Sequence, residues 1–139
     1  MILDIGSNRY YNSKKLIQGD IDFEHLKKEH KQEYNYNKPN YIVLDAINLP
    51  FKDNSINIVE GNCVPLCIYD DLNVIKKIIK EMYRVAKKRL VLRMCNPIKK
   101  KILNYIFSNY NVIKYTKFDY LENVSFIDSI TIRKGVFYD

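Results

Sequence analysis

The sequence predicts an α/β domain on a mostly parallel sheet, with an antiparallel hairpin at its C-terminal end. Three observations predict it. Short β-prone runs end repeatedly in Gly, Asp or Asn; longer segments with apolar residues at helical spacing separate several of them; and the last two β-prone runs are joined by a short polar stretch. With 139 residues and 47% hydrophobic content, the chain can bury one core, so residues 1–139 are read as a single domain.

The first strand is Met1 to Ile5, stopped by Gly6-Ser7-Asn8, and the second is Leu16-Ile17 running into Gly19-Asp20. Asp22 can cap a helix from Phe23, but only Phe23, Leu26 and His30 mark its apolar stripe, so it should be short. The turn-forming stretch Asn35 to Asn40 ends it. Tyr41 to Leu44 is a third strand ending at Asp45, and Ile56 to Val59 a fourth ending at Glu60-Gly61-Asn62.

The strongest helix follows Asp70-Asp71. Leu72, Ile75, Ile78, Ile79, Met82, Val85 and Ala86 form its apolar stripe, and Lys76, Lys77, Lys80, Arg84 and Lys87 its solvated face. Leu90-Val91-Leu92 is a fifth strand. Asn96-Pro97 suits the start of a helix with Ile98, Ile102, Leu103, Ile106 and Phe107 inward and Lys99 to Lys101 outward. Val112 to Phe118 and Phe126 to Ile132 form the hairpin, and no internal repeat interrupts the series.

Composition narrows the function classes. No run of about eighteen apolar residues exists and no basic leader precedes an apolar segment, which implies a soluble cytoplasmic protein without a membrane span. Cys63, Cys67 and Cys95 are odd in number and lack C-x-x-C spacing, against a disulfide framework or a structural zinc site; no metal is expected, and the cysteines read as small buried thiols. His25 and His30 read as surface groups. The net charge of +7 favours an anionic partner such as nucleic acid only weakly, because abundant Lys, Asn, Ile and Tyr also follow from A/T-rich codons.

In a parallel sheet covered by helices, ligands bind beyond the carboxyl ends of the strands. The residues there are Leu3-Asp4-Ile5-Gly6-Ser7-Asn8, then Gly19-Asp20-Ile21-Asp22, then Asp45-Ala46 with Leu49-Pro50-Phe51 behind. From Val43 to Val91 the pieces Leu44-Asp45-Ala46, Leu49-Pro50-Phe51, Asp53-Asn54-Ser55-Ile56-Asn57-Ile58-Val59 and Glu81-Met82-Tyr83-Arg84-Val85 follow in order. This series resembles the D-A-x-x-L-P-F, D-x-S-F-D-x-V and E-x-x-R-V run of the class I S-adenosylmethionine-dependent methyltransferases.

The resemblance implies a three-layer, Rossmann-like methyltransferase sheet, S-adenosylmethionine as cofactor, and methyl transfer to an acceptor. It assigns cofactor binding to Asp4, Gly6, Ser7, Asp20, Ile21, Asp45, Ala46 and Glu60, with Asn62 and Cys63 facing the substrate. Asp20 would accept both ribose hydroxyls, in charge-assisted bonds about twice as strong as neutral ones. Asp45 would meet the adenine amino group and the Ala46 amide a ring nitrogen. Methyl transfer depends mainly on alignment, so no acid–base pair is required and the catalytic residues stay unassigned. No N-P-P-Y-like motif identifies the acceptor.

Two departures qualify the match. The G-x-G-x-G pattern is reduced to Gly6, with Asn8 the residue best able to take a positive φ in its place. Residues 7–15 are also too few for the first crossover helix. An irregular crossover through Arg9, Tyr10 and Tyr11 would thin the cover on one sheet face, which a homodimer contact or partner subunit could restore. Asp20 and Asp22 could alternatively cap the next helix, and Asp45 could simply end a strand. Two other functions fit these residues: a catalytically degenerate methyltransferase-like binding or assembly module, and a basic nucleic-acid-binding protein on the same scaffold.

Overall fold

The computed structural model describes residues 1–6, 16–20, 40–66, 69, 71–93, 98–121 and 124–135. The described elements are β1 (Ile2–Ile5), β2 (Leu16–Asp20), β3 (Asn40–Val43), β4 (Ile56–Asn62), α1 (Leu72–Val85), β5 (Ala86–Arg93), β6 (Ile98–Lys99), α2 (Lys100–Asn109), β7 (Val112–Leu121) and β8 (Val124–Arg133). The sheet runs β3-β2-β1-β4-β5-β8, with β7 also paired to β8. The pairs among the first five strands are parallel, and β8 is antiparallel to β5, β6 and β7.

Ser125 of β8 pairs with Ile98 of β6 and with Asp119 of β7, and Ile130 pairs with Leu92 of β5 and with Tyr115 of β7. A strand has two edges, so β5 and β6 lie in line along one edge of β8 and β7 along the other. The parallel sheet with a C-terminal antiparallel hairpin is therefore present as the sequence predicts. The helix expected from Phe23 and the crossover at residues 7–15 lie outside the described residues.

Central strands of a parallel sheet are covered on both faces and read as near-continuous apolar runs. Leu3 and Ile5 of β1 face one side and Asp4 the other, and all three are buried. Strand β1 itself is thus covered on both faces. Strand β4 also extends through Glu60, Gly61 and Asn62, three residues that the sequence placed just beyond it; Glu60 pairs with Asp4 and Val91, and Asn62 with Arg93.

Helix α1 begins where expected. The Asp71 carboxylate accepts the Asn73 amide at 2.8 Å, satisfying one of the first-turn donors that a helix leaves without an internal partner. Ile75, Ile78, Ile79, Met82 and Val85 are fully buried at i, i+3, i+4, i+7 and i+10, and each such apolar side chain gains about 1.5–3 kcal/mol over exposure. Ala86 leaves the helix and opens β5, its amide closing the last turn on the Met82 carbonyl. The Tyr83 and Arg84 carbonyls accept the Lys134 ammonium at 2.6 and 3.0 Å, and the Arg84 carbonyl also accepts the Asn54 amide at 2.9 Å. A cation at this end also suits the helix dipole.

Helix α2 differs from its expected course. Ile98 is buried as predicted, but from β6, where pairing with β8 takes its backbone into the sheet, and the helix starts at Lys100. Ile102, Leu103 and Ile106 face the core; Phe107 is 40% exposed and packs edge-on against Tyr115 of β7, ring centres 4.9 Å apart. On the inner side Tyr83, Tyr105 and Tyr110 stack edge to face, tying α1 to α2. Burial, reinforced by the Tyr105 hydroxyl, raises the Tyr110 phenol above its ordinary range.

Candidate functional site

Strand order and direction define the site before any side chain is considered. From β1 the chain passes to β2 and β3 on one side and to β4 and β5 on the other. The crevice between β1 and β4 is therefore the topological switch point, where open α/β sheets bind ligands beyond the carboxyl ends of their strands.

Gly6 lies at that point. Its φ is +72°, and its amide donates to the Gly19 carbonyl at 3.0 Å, holding the ends of β1 and β2 together. A Cβ here would lie 2.5 Å from the Asn62 carbonyl oxygen and 2.8 Å from a Val64 methyl, so backbone conformation and space both demand glycine. Ser7 and Ile21, the neighbouring cofactor candidates, lie outside the described residues.

Asp20 is the last residue of β2, in register with Val43 of β3, and follows Gly19, which pairs with Ile5 of β1 and accepts the Gly6 amide. Two residues past Val43, Asp45 is exposed and Ala46 buried. The Asp45 Oδ1 accepts the Ile47 amide at 3.0 Å, and the Asp45 carbonyl accepts the Asn48 amide at 3.1 Å. This turn fixes the direction of the Asp45 carboxylate while leaving it at the surface. Gly6, Asp20 and Asp45 thus lie at or just beyond the ends of three adjacent strands.

Across the switch point the strand ends bury polar side chains. Asn62 donates its side-chain amide to the fully buried Asp4 carboxylate, joining β4 to β1. Glu60 lies two residues inside β4, 6% exposed, with Arg93 of β5 3.8 Å from its carboxylate. Cys63 follows with φ +59°, is half-buried rather than buried, and donates its amide to the Arg93 carbonyl at 3.0 Å. Arg93 was not a sequence candidate; the signal available was its position at the end of the fifth strand. Cys67 and Cys95 lie outside the described residues.

Behind Asp45 and Ala46, the loop from Leu49 to Asp53 is clamped to α1. The Arg84 guanidinium donates to the Leu49 and Phe51 carbonyls, to Asp53 and to Glu81, and Glu81 accepts the Leu49 amide. The hydrogen bond from Arg84 holds the Glu81 carboxyl below its ordinary value of 4.5. A lowered folded value means that the clamp's stabilisation is complete above the ordinary value and is lost as pH falls through the lower one. Wild type should therefore exceed Glu81→Gln in stability above about pH 5, with the gap closing toward pH 3. Chemical denaturation across that range checks this, and a gap independent of pH would contradict it.

The donor set suits a nucleoside sulfonium ligand. The exposed Asp45 carboxylate at a strand end can accept hydroxyl or amino protons, and the side-chain-free turn at Gly6 lets backbone come close to a ligand. Among the described residues no three or more His, Cys, Asp or Glu cluster as metal ligands, and no helix is long and apolar enough to cross a membrane.

Comparison with known proteins agrees with this architecture. Residues 4–92 match the methyltransferase domain family. No curated protein matches the sequence. Among solved structures, an S-adenosylmethionine-dependent methyltransferase from Methanosarcina mazei superposes with a TM-score of 0.63 at 14% identity, covering 96% of this chain and 91% of its own. Magnesium protoporphyrin IX methyltransferase from Synechocystis PCC 6803, solved with bound S-adenosylmethionine, gives 0.60 at 14% identity, covering 96% and 69%. The N-methyltransferase NodS from Bradyrhizobium japonicum gives 0.64 at 9% identity, covering 95% and 84%. At these identities the structural likeness establishes the fold, and the family match extends over most of the strands that carry the site. The chain belongs to the methyltransferase domain family and has the fold of S-adenosylmethionine-dependent methyltransferases.

Proposed function

We propose that this chain is a small cytoplasmic methyltransferase that binds S-adenosylmethionine over the ends of β1, β2 and β3 and receives its acceptor over the ends of β4 and β5. The observation that carries this reading is the adjacency of Gly6, Asp20 and Asp45 at three consecutive strand ends beside the switch point. When bound, the cofactor supplies a methyl group on a positively charged sulfur, already activated for transfer.

The chain's own contribution is alignment. Asp20 holds the ribose hydroxyls, Asp45 receives the adenine amino group and the Ala46 amide donates to the ring. Gly6 and its neighbours Ser7 and Ile21 admit the ligand close to backbone. The bond between Asn62 and Asp4 fixes the ends of β4 and β1 relative to each other, and Glu60 balances the charge of Arg93. Asn62, Cys63 and Arg93 form the acceptor side; Asn62 is buried against Asp4, and the accessible Cys63 and Arg93 suit an acceptor able to hydrogen-bond.

Titration of the protein with S-adenosylhomocysteine by calorimetry tests the reading. Binding with a dissociation constant of about 1–100 μM is expected, equivalent to roughly 5–8 kcal/mol. Absence of binding at millimolar ligand would overturn it. Reduction of the glycine pattern to Gly6 favours a second reading, a binding module that no longer catalyses; that reading requires S-adenosylhomocysteine binding without methyl transfer to any acceptor.

A further inference from the structure

We propose that Arg84, backed by Glu81, is a positioning residue for the adenine end of the cofactor site, acting through the loop that carries Asp45 and Ala46. The inference rests on the donor site proposed above. Its basis is the geometry of the clamp. The guanidinium donates to the Leu49 carbonyl at 3.1 Å and the Phe51 carbonyl at 2.8 Å, and reaches Asp53 at 2.7 Å. It also meets both Glu81 oxygens, at 2.8 and 3.0 Å. Glu81 Oε2 in turn accepts the Leu49 amide at 2.9 Å, so the pair engages Leu49 through both its backbone donor and its acceptor.

What is clamped is the downstream end of the turn that orients Asp45. That turn closes between Asp45 and Asn48, and the clamp begins at the next residue. The clamp's base is rigid, because α1 is anchored by the fully buried Ile78, Ile79, Met82 and Val85. The Arg84 carbonyl then fixes Asn54 at the far end of the loop. A planar fork with five donors can reach two carbonyls and two carboxylates at once; an ammonium cannot. Arg84 therefore transmits the position of a packed helix to an exposed carboxylate without touching the ligand.

The test must separate positioning from general support of the fold. S-adenosylhomocysteine and its purine-riboside counterpart, lacking the exocyclic amino group, are titrated into wild type, Arg84→Lys and Arg84→Gln, with thermal melting of each. The expected result is non-additive: Arg84→Gln weakens S-adenosylhomocysteine about tenfold but the deaminated ligand less than about threefold, because the contact that the clamp positions is missing from the latter. Arg84→Lys, the milder variant should the Gln variant unfold, gives the same pattern at smaller size. Equal losses for the two ligands in the folded variants would overturn the inference while leaving the donor site intact. Failure of wild type to bind S-adenosylhomocysteine would remove the donor site itself, and this inference with it.

Discussion

Asp20→Ala should lower the affinity for S-adenosylhomocysteine by roughly a hundredfold while leaving the melting temperature within about 2 °C of wild type. A carboxylate that accepts two ribose hydroxyls makes two charge-assisted bonds, each contributing about 1.5–3 kcal/mol. Removing both costs about 3 kcal/mol, and each 1.4 kcal/mol is a factor of ten. The fold should be insensitive because Asp20 ends β2, so the pairing with β1 and β3 that precedes it depends on backbone. Isothermal titration beside a thermal melt reads both quantities. A loss below about threefold would mean that the ribose is held elsewhere.

Gly61→Ala should have the largest effect on stability, about 3 kcal/mol or more, seen as a fall in melting temperature of at least about 10 °C. The reason is local and steric. A Cβ at this position in β4 would lie 2.1 Å from the Val64 carbonyl oxygen and 2.9 Å from Met82 Cε. The methionine end could swing aside. The carbonyl cannot, since it belongs to the turn that follows β4 beside the switch point, so the strand, the turn or α1 must shift. Because that turn borders Asn62 and Cys63, acceptor turnover should fall further than cofactor binding. A melting temperature within about 2 °C of wild type would show that the turn yields cheaply.

Both expectations illustrate how unevenly the site was written into the sequence. The strand-end positions of Asp20, Asp45, Gly6 and Ala46 were legible because each ends or follows a β-prone run, and a parallel sheet brings such positions to one edge. The clamp was half legible. Glu81 and Arg84 stand three apart on a helix, a spacing that permits an ion pair, but their bonds to Leu49 and Phe51 span more than thirty residues and have no local signature. Arg93 was missed, and the relation of Glu60 to Asp4 was invisible, because cross-strand register decides which polar residues face each other.

The fold shows the same division. Ile98 carries the burial expected of a helical core position, yet pairing with β8 draws it into a strand; hydrophobicity was right and conformation was not. Phe107 satisfies the helical period but finds its partner in Tyr115 at the surface. Strand β4 runs on through Glu60, Gly61 and Asn62 because β1 and β5 on either side supply backbone partners that outweigh the poor β-propensity of those residues.

By itself the sequence determined most of the described strands, the apolar face of α1, its start at Asp71 and its end near Val85, and the order in which chemically useful residues meet the strand ends. These depend on periodicity and capping, which act over a few residues. The tertiary structure alone decided which strands are neighbours and in what register, that Asp4 and Glu60 share one buried face, and that Arg84 grips a distant loop. Those outcomes depend on contacts between segments far apart in the chain, whose energies are realised only once the sheet has assembled.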